Sequence, residues 1–164
     1  METIYKFIDK LTPTNYNLKL ITLSISCLLI SIVCNIIISE LFHFELVNNH
    51  KAINIIKKSK IIQFLTTVIL GPFTETILLQ WLPVYFYNEY KKSNKTDHIF
   101  ILIFSLIFGL LHTYGIGYQI STFIIGLMYL TLTMYYADKK QNFYFPIVLI
   151  HVFNNLVVFI ASSR

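Results

Sequence analysis

Inside stretches apolar enough to cross a bilayer, this chain keeps a few side chains able to do acid–base chemistry. They are Glu75 in GPFTETILLQWLP (71–83), His112 at the end of FGLLH (108–112), and His151, Asn154 and Asn155 in HVFNN (151–155). Polar groups in hydrocarbon are costly and usually face a bundle interior or a wet cavity. His151 and Asn155 are four residues apart, about 40° around a helix, and so share a face. Phe108 and His112 have the same spacing. Gln80 lies about 140° from Glu75 on a regular helix, which turns it toward a neighbouring helix or a loop instead. Glu40, His43, His50 and His98 fall at segment ends or in loops. Singly, each deep residue has an ordinary structural use, a histidine as a hydrogen-bonder or an asparagine as interhelical glue. Together, an acid, two imidazoles and a carboxamide on three segments point to one water-holding cavity.

Such a cavity has two chemical uses. A carboxylate can take a proton from water while an imidazole and a carboxamide donate to a developing oxyanion. That set hydrolyses an amide without a serine or cysteine nucleophile. Alternatively, Glu75, His112 and His151 form the donor set of a catalytic zinc site with an open position. The H-E-x-x-H spacing of a helical zinc protease is missing, and the fourth polar group is an amide, a poor zinc ligand. These points favour a site with no cofactor and leave zinc as the alternative.

The elements that must carry these residues are membrane helices. The chain has 164 residues, 55% hydrophobic and only 13% charged, with mean hydropathy +0.64. A soluble domain carries roughly 25% charged residues. Spans of about 20 apolar residues are expected at about 20–41, 61–87, 98–114, 118–136 and 143–162, with an interfacial helix within 42–60. The third and fourth spans are separated by GIG and should form a tight antiparallel hairpin. The expected architecture is all-α: one polytopic membrane helical bundle over residues 1–164, with about five transmembrane helices around a polar intramembrane cavity. Pro72 should break the second helix just before Glu75 and free the carbonyl of Val68. Cys27 and Cys34 are about 10.5 Å apart along a helix, too far to pair.

The net charge of +5 comes from lysine clusters between apolar runs, such as Lys57, Lys58 and Lys60 or Lys91, Lys92 and Lys95. That pattern fits lipid headgroups, not nucleic acid. Lys6, Lys10, Lys19, Lys91, Lys92, Lys95, Lys139 and Lys140 outnumber Lys51, Lys57, Lys58, Lys60 and Arg164 on the alternate side, so the N-terminus is expected in the cytoplasm. Richness in Ile, Lys and Asn suggests an AT-rich bacterial genome, so the expected location is a bacterial plasma membrane. Nothing in residues 1–60 reads as a specificity element.

In chain order, PFTETILLQWL (72–82), FGLLH (108–112) and HVFNN (151–155) resemble the three motifs of the CPBP family, the CAAX proteases and bacteriocin-processing enzymes also called the Abi family. Its pattern is Glu-Glu-x-x-x-Arg, then Phe-x-x-x-His, then His-x-x-x-Asn or Asp, on separate helices. The resemblance covers about residues 61–160. It implies an intramembrane endopeptidase in which Glu75 activates water, His112 assists, and His151 and Asn155 hold the oxyanion. Phe108 would support His112. Thr76 and Gln80 stand where the family has its second Glu and its Arg. The paired change removes both members of an ion pair, whereas losing one alone would leave a buried charge at a cost of about 3–5 kcal/mol. Some relatives are labelled metalloproteases, so the resemblance keeps zinc open. It implies a peptide or membrane-protein substrate, such as a prenylated C-terminus or a bacteriocin leader. The altered first motif also suits a non-catalytic immunity or scaffold protein, and a membrane Glu with His suits a proton-coupled carrier.

Overall fold

The structure is a computed structural model describing residues 1–42, 59–90, 96–113, 115–139 and 144–162. Among these, all regular structure is helical. The helices are α1 (Glu2–Leu11), α2 (Tyr16–Phe42), α3 (Lys60–Tyr90), α4 (Asp97–Leu111), α5 (Ile116–Asp138) and α6 (Tyr144–Ser162). Helices spanning Tyr16–Ile38, Lys60–Tyr90 and Ile116–Asp138 are long and apolar enough to cross a membrane, and two shorter apolar helices accompany them. The expected interfacial helix falls almost wholly outside the described residues.

α5 is the centre of the bundle. Its Tyr129, Leu130, Leu132, Met134, Tyr135 and Tyr136 are all buried. They pack with Leu23 and Cys27 of α2, Ile147 and Ile150 of α6, and Val84 and Ile101 of α3 and α4. The outer faces of α2, α3 and α4 carry Leu18, Ile25, Leu29, Leu78, Ile99 and Leu106, exposed and apolar. In water such a surface would aggregate; in lipid it is the correct exterior.

α4 and α5 form the tight hairpin that the GIG linker requires. Gly109 sits at their crossing. A Cβ there would lie 2.8 Å from both the Gln119 carbonyl oxygen and the Phe123 Cβ, so only glycine permits the approach. α4 has 15 residues, about 22 Å of rise, against a hydrocarbon thickness of ~30 Å. One end must stop inside the membrane.

One feature was not anticipated from the sequence, and one departs from its expectation. First, α1 is a helix. Ile4, Phe7 and Leu11 make an exposed apolar stripe on it, and Lys6 pairs with Glu2 at 2.8 Å. Such a helix suits the membrane interface. Asp9 anchors it to the bundle, accepting from Lys19 Nζ at 2.9 Å, Lys139 Nζ at 2.8 Å and the Tyr135 hydroxyl. These donors hold the Asp9 carboxyl well below the usual carboxylate range. α2 therefore begins earlier than hydropathy suggests, capped by the Asn15 carboxamide oxygen, which accepts from the N–H groups of Asn17 and Leu18 at 3.0 and 3.2 Å.

Second, Pro72 does not break α3. The helix widens into a π turn over Leu65–Leu70 and again over Ile77–Trp81. The Gly71 N–H accordingly bonds the Thr66 carbonyl, five residues back. In that register residue 72 would serve the carbonyl of Thr67, and proline has no N–H to offer. The orphaned acceptor is thus Thr67, not Val68.

Candidate active site

Glu75 projects from the α turn between the two π turns of α3. Its Oε2 lies 3.7 Å from His112 Nε2 and 3.6 Å from His151 Nε2. The three expected spans therefore do converge, α3 bringing the acid, α4 one imidazole and α6 the other. The gaps exceed a direct hydrogen bond. The Glu75 side chain is 32% exposed, His112 14% and His151 5%, so the acid faces a cavity and the rings form its wall.

Each ring is fixed through its other nitrogen. His112 Nδ1 is 2.6 Å from the Phe108 carbonyl oxygen. A carbonyl only accepts, so Nδ1 carries the hydrogen, and neutral His112 presents a lone pair at Nε2 toward Glu75. The Phe108 ring packs on that of His112, with centroids 4.6 Å apart. Gly126 makes room for it, since a Cβ there would meet Phe108 Cδ1 at 3.0 Å. His151 Nδ1 lies 3.4 Å from Thr76 Oγ1. Thr76 is fully buried, so this hydroxyl is aimed at the ring from inside the bundle.

The Asn155 Nδ2 donates to the Thr67 carbonyl at 2.8 Å. This is the carbonyl orphaned by Pro72 in the π register, so Asn155 satisfies it and ties α6 to α3. Asn154 also faces inward. Its Nδ2 donates to the Tyr129 hydroxyl at 2.7 Å, and its buried Oδ1 has no hydrogen-bond partner among the described residues. The Tyr129 ring packs on His151, with centroids 4.8 Å apart. Gln80 is buried away from the cavity lining, and its carboxamide has no hydrogen-bond partner among the described residues.

Glu75, His112, His151, Asn154 and Asn155 line one cavity of about 330 Å³. Its remaining polar lining is Ser31 and Asn35 of α2, Thr66 and Thr67 of α3, and Tyr118, Ser121, Thr122 and Tyr129 of α5. The α2 and α5 residues escaped sequence reading because single Ser, Thr, Asn and Tyr residues are ordinary in apolar helices. Only polar positions repeated along one face, such as Ser31 with Asn35, would have signalled them. Among the described residues no three His, Cys, Asp or Glu side chains are arranged to hold a metal ion. The Glu75, His112 and His151 set has zinc-type donors but does not meet that arrangement.

A family model described as "Type II CAAX prenyl endopeptidase Rce1-like" matches residues 57–157, well over half of the chain. The chain belongs to the Rce1-like family. The matched region contains Glu75, Thr76, Gln80, Phe108, His112, His151 and Asn155 and excludes α1 and α2. Membership and the apolar helices together make this an integral membrane protein of a CAAX-endopeptidase family. The chain has no significant match among curated proteins or solved structures.

Proposed function

We propose that this Rce1-like chain is an intramembrane endopeptidase in which water held between Glu75 and the two histidines attacks a peptide carbonyl. The observation that carries the reading is the position of Glu75 Oε2, 3.6 Å and 3.7 Å from two imidazole nitrogens at the edge of a polar cavity. A water about 2.8 Å from each polar atom spans gaps of that size. Glu75 removes its proton as general base, and the lone pair on His112 Nε2 orients it. The water oxygen bonds the carbonyl carbon, and the carbonyl oxygen becomes the oxyanion. With the Thr76 hydroxyl donating to Nδ1, His151 keeps its hydrogen on Nε2 and donates to that oxyanion. Asn155 has a second N–H for the same purpose beyond the one held by Thr67. The proton on Glu75 then passes to the leaving amine as the C–N bond breaks.

The reaction in this reading needs no cofactor, and Glu75, His112 and His151 act as protein groups. The substrate is a membrane-bound peptide of the prenylated C-terminal class that the family description names, with bacteriocin leaders as the other class. The chain works in a bacterial plasma membrane with its N-terminus in the cytoplasm. Glu75→Gln in reconstituted protein should lower cleavage of a farnesylated peptide by about 10²–10⁴-fold without changing the unfolding temperature. Activity should survive a zinc chelator. Full cleavage by the variant would remove the proposal.

A second reading, a non-catalytic immunity or scaffold protein, draws on Thr76 and Gln80, neutral and buried where the family pattern is charged. It expects the biological phenotype to persist in Glu75→Gln.

A further inference from the structure

The cavity has a wall that the family match does not cover. α2 contributes Ser31 and Asn35, one turn apart, and both line the same space as Glu75 and the histidines. Asn35 is half-buried in a helix whose outer face is exposed aliphatic side chains. A carboxamide costs free energy in such a setting unless it is hydrogen-bonded. One half of it is bonded: Ser121 Oγ, buried on α5, donates to Asn35 Oδ1 at 2.5 Å. That bond fixes the orientation of the amide and ties α2 to α5. The other half, Nδ2, makes no hydrogen bond among the described residues, and the residue faces the cavity. The result is a pair of N–H donors held ready on the wall formed by α2.

We propose that Asn35 is a substrate-binding residue whose Nδ2 donates to a backbone carbonyl oxygen of the peptide in the cavity. This deepens the protease reading and rests on it. A peptide lying between α2 and α6 would present carbonyl oxygens toward Asn35. An oriented N–H donor on the cavity wall complements the carbonyl oxygen of a peptide. Ser121 sets the amide orientation, so the donor is ordered before the substrate arrives, which reduces the entropic cost of binding. The geometry also gives α2 a use beyond spanning the bilayer.

The test is equilibrium binding of a cleavage-resistant farnesylated peptide, with its scissile amide reduced to an amine, to full-length protein in detergent micelles. Asn35→Ala removes both halves of the amide. Asn35→Asp keeps an oxygen for Ser121 and replaces the Nδ2 donor with a second carboxylate oxygen, an acceptor that repels a peptide carbonyl. Both should weaken Kd by roughly 3- to 10-fold, and both should raise KM for the cleavable peptide while leaving kcat within about twofold, as expected for lost ground-state binding. Wild-type affinity in Asn35→Asp, with or without weakening in Asn35→Ala, would overturn the proposal, because the residue would then serve only the α2–α5 tie. Absence of binding to the wild type would overturn it too. Binding is read separately from cleavage. A wild type that binds the peptide and never cuts it sinks the protease reading, while the two Kd values still decide on Asn35.

Discussion

The Asn155–Thr67 contact makes the π turn of α3 open to measurement. Asn155→Leu keeps the side-chain volume and removes the donor 2.8 Å from the Thr67 carbonyl. Interhelical hydrogen bonds in membranes are worth about 0.6 kcal/mol on average and up to about 1.7. A buried acceptor left without a partner adds about 1–3 kcal/mol, less whatever water in the cavity restores. The expected loss is therefore about 1–3 kcal/mol. Pro72→Ala changes the expectation. Residue 72 then has an N–H, and in the π register that group reaches Thr67. In this background Asn155→Leu should cost under about 1 kcal/mol, leaving a coupling of about 1–2 kcal/mol in the double-mutant cycle. Reversible unfolding of the four proteins in mixed micelles measures it. Equal cost in both backgrounds would mean that Thr67 does not owe its missing partner to Pro72.

Further outcomes are expected elsewhere. Gly126→Ala places a methyl 3.0 Å from Phe108 Cδ1 and should destabilise by about 1–3 kcal/mol through overpacking, seen as a lower Tm. Thr76→Val removes the hydroxyl facing His151 Nδ1; kcat should fall about tenfold, the equivalent of one hydrogen bond, with KM unchanged. Asp9→Asn loosens α1 and should cost about 1 kcal/mol, typical of a partly exposed ion pair. The Asp9 carboxyl is held below its ordinary value, so its contribution is full above the unfolded-state pKa near ~3.9 and is lost as pH falls further. Tm against pH should therefore drop more steeply below about pH 4 in the wild type than in Asp9→Asn.

The apolar spans were legible because a helix crossing lipid needs a long run of hydrophobic residues, and α2 to α6 fall on the runs. The convergence of Glu75, His112 and His151 was legible for the converse reason: polar groups too costly to face lipid must face one another. α1 was hidden because a ten-residue amphipathic helix has no long apolar run, and its anchor, Asp9, pairs with residues far along the chain. The π turns were hidden because hydrogen-bond register leaves no mark in composition. Pro72 alone points to Val68 in an α register and to Thr67 in a π register, and only the fold selects between them. Asn35 and Tyr129 looked like ordinary members of apolar helices until α5 brought them to the cavity.

The central claim is that water beside Glu75, and not Glu75 itself, attacks the peptide carbonyl. A single turnover in ¹⁸O-water, with enzyme in excess over a farnesylated peptide, tests it directly by mass spectrometry of both product and protein. Direct attack by water places one ¹⁸O in the new carboxylate of the N-terminal fragment and none in Glu75. An unlabelled first product with ¹⁸O on the Glu75 carboxyl would mean a covalent acyl-enzyme and would contradict it.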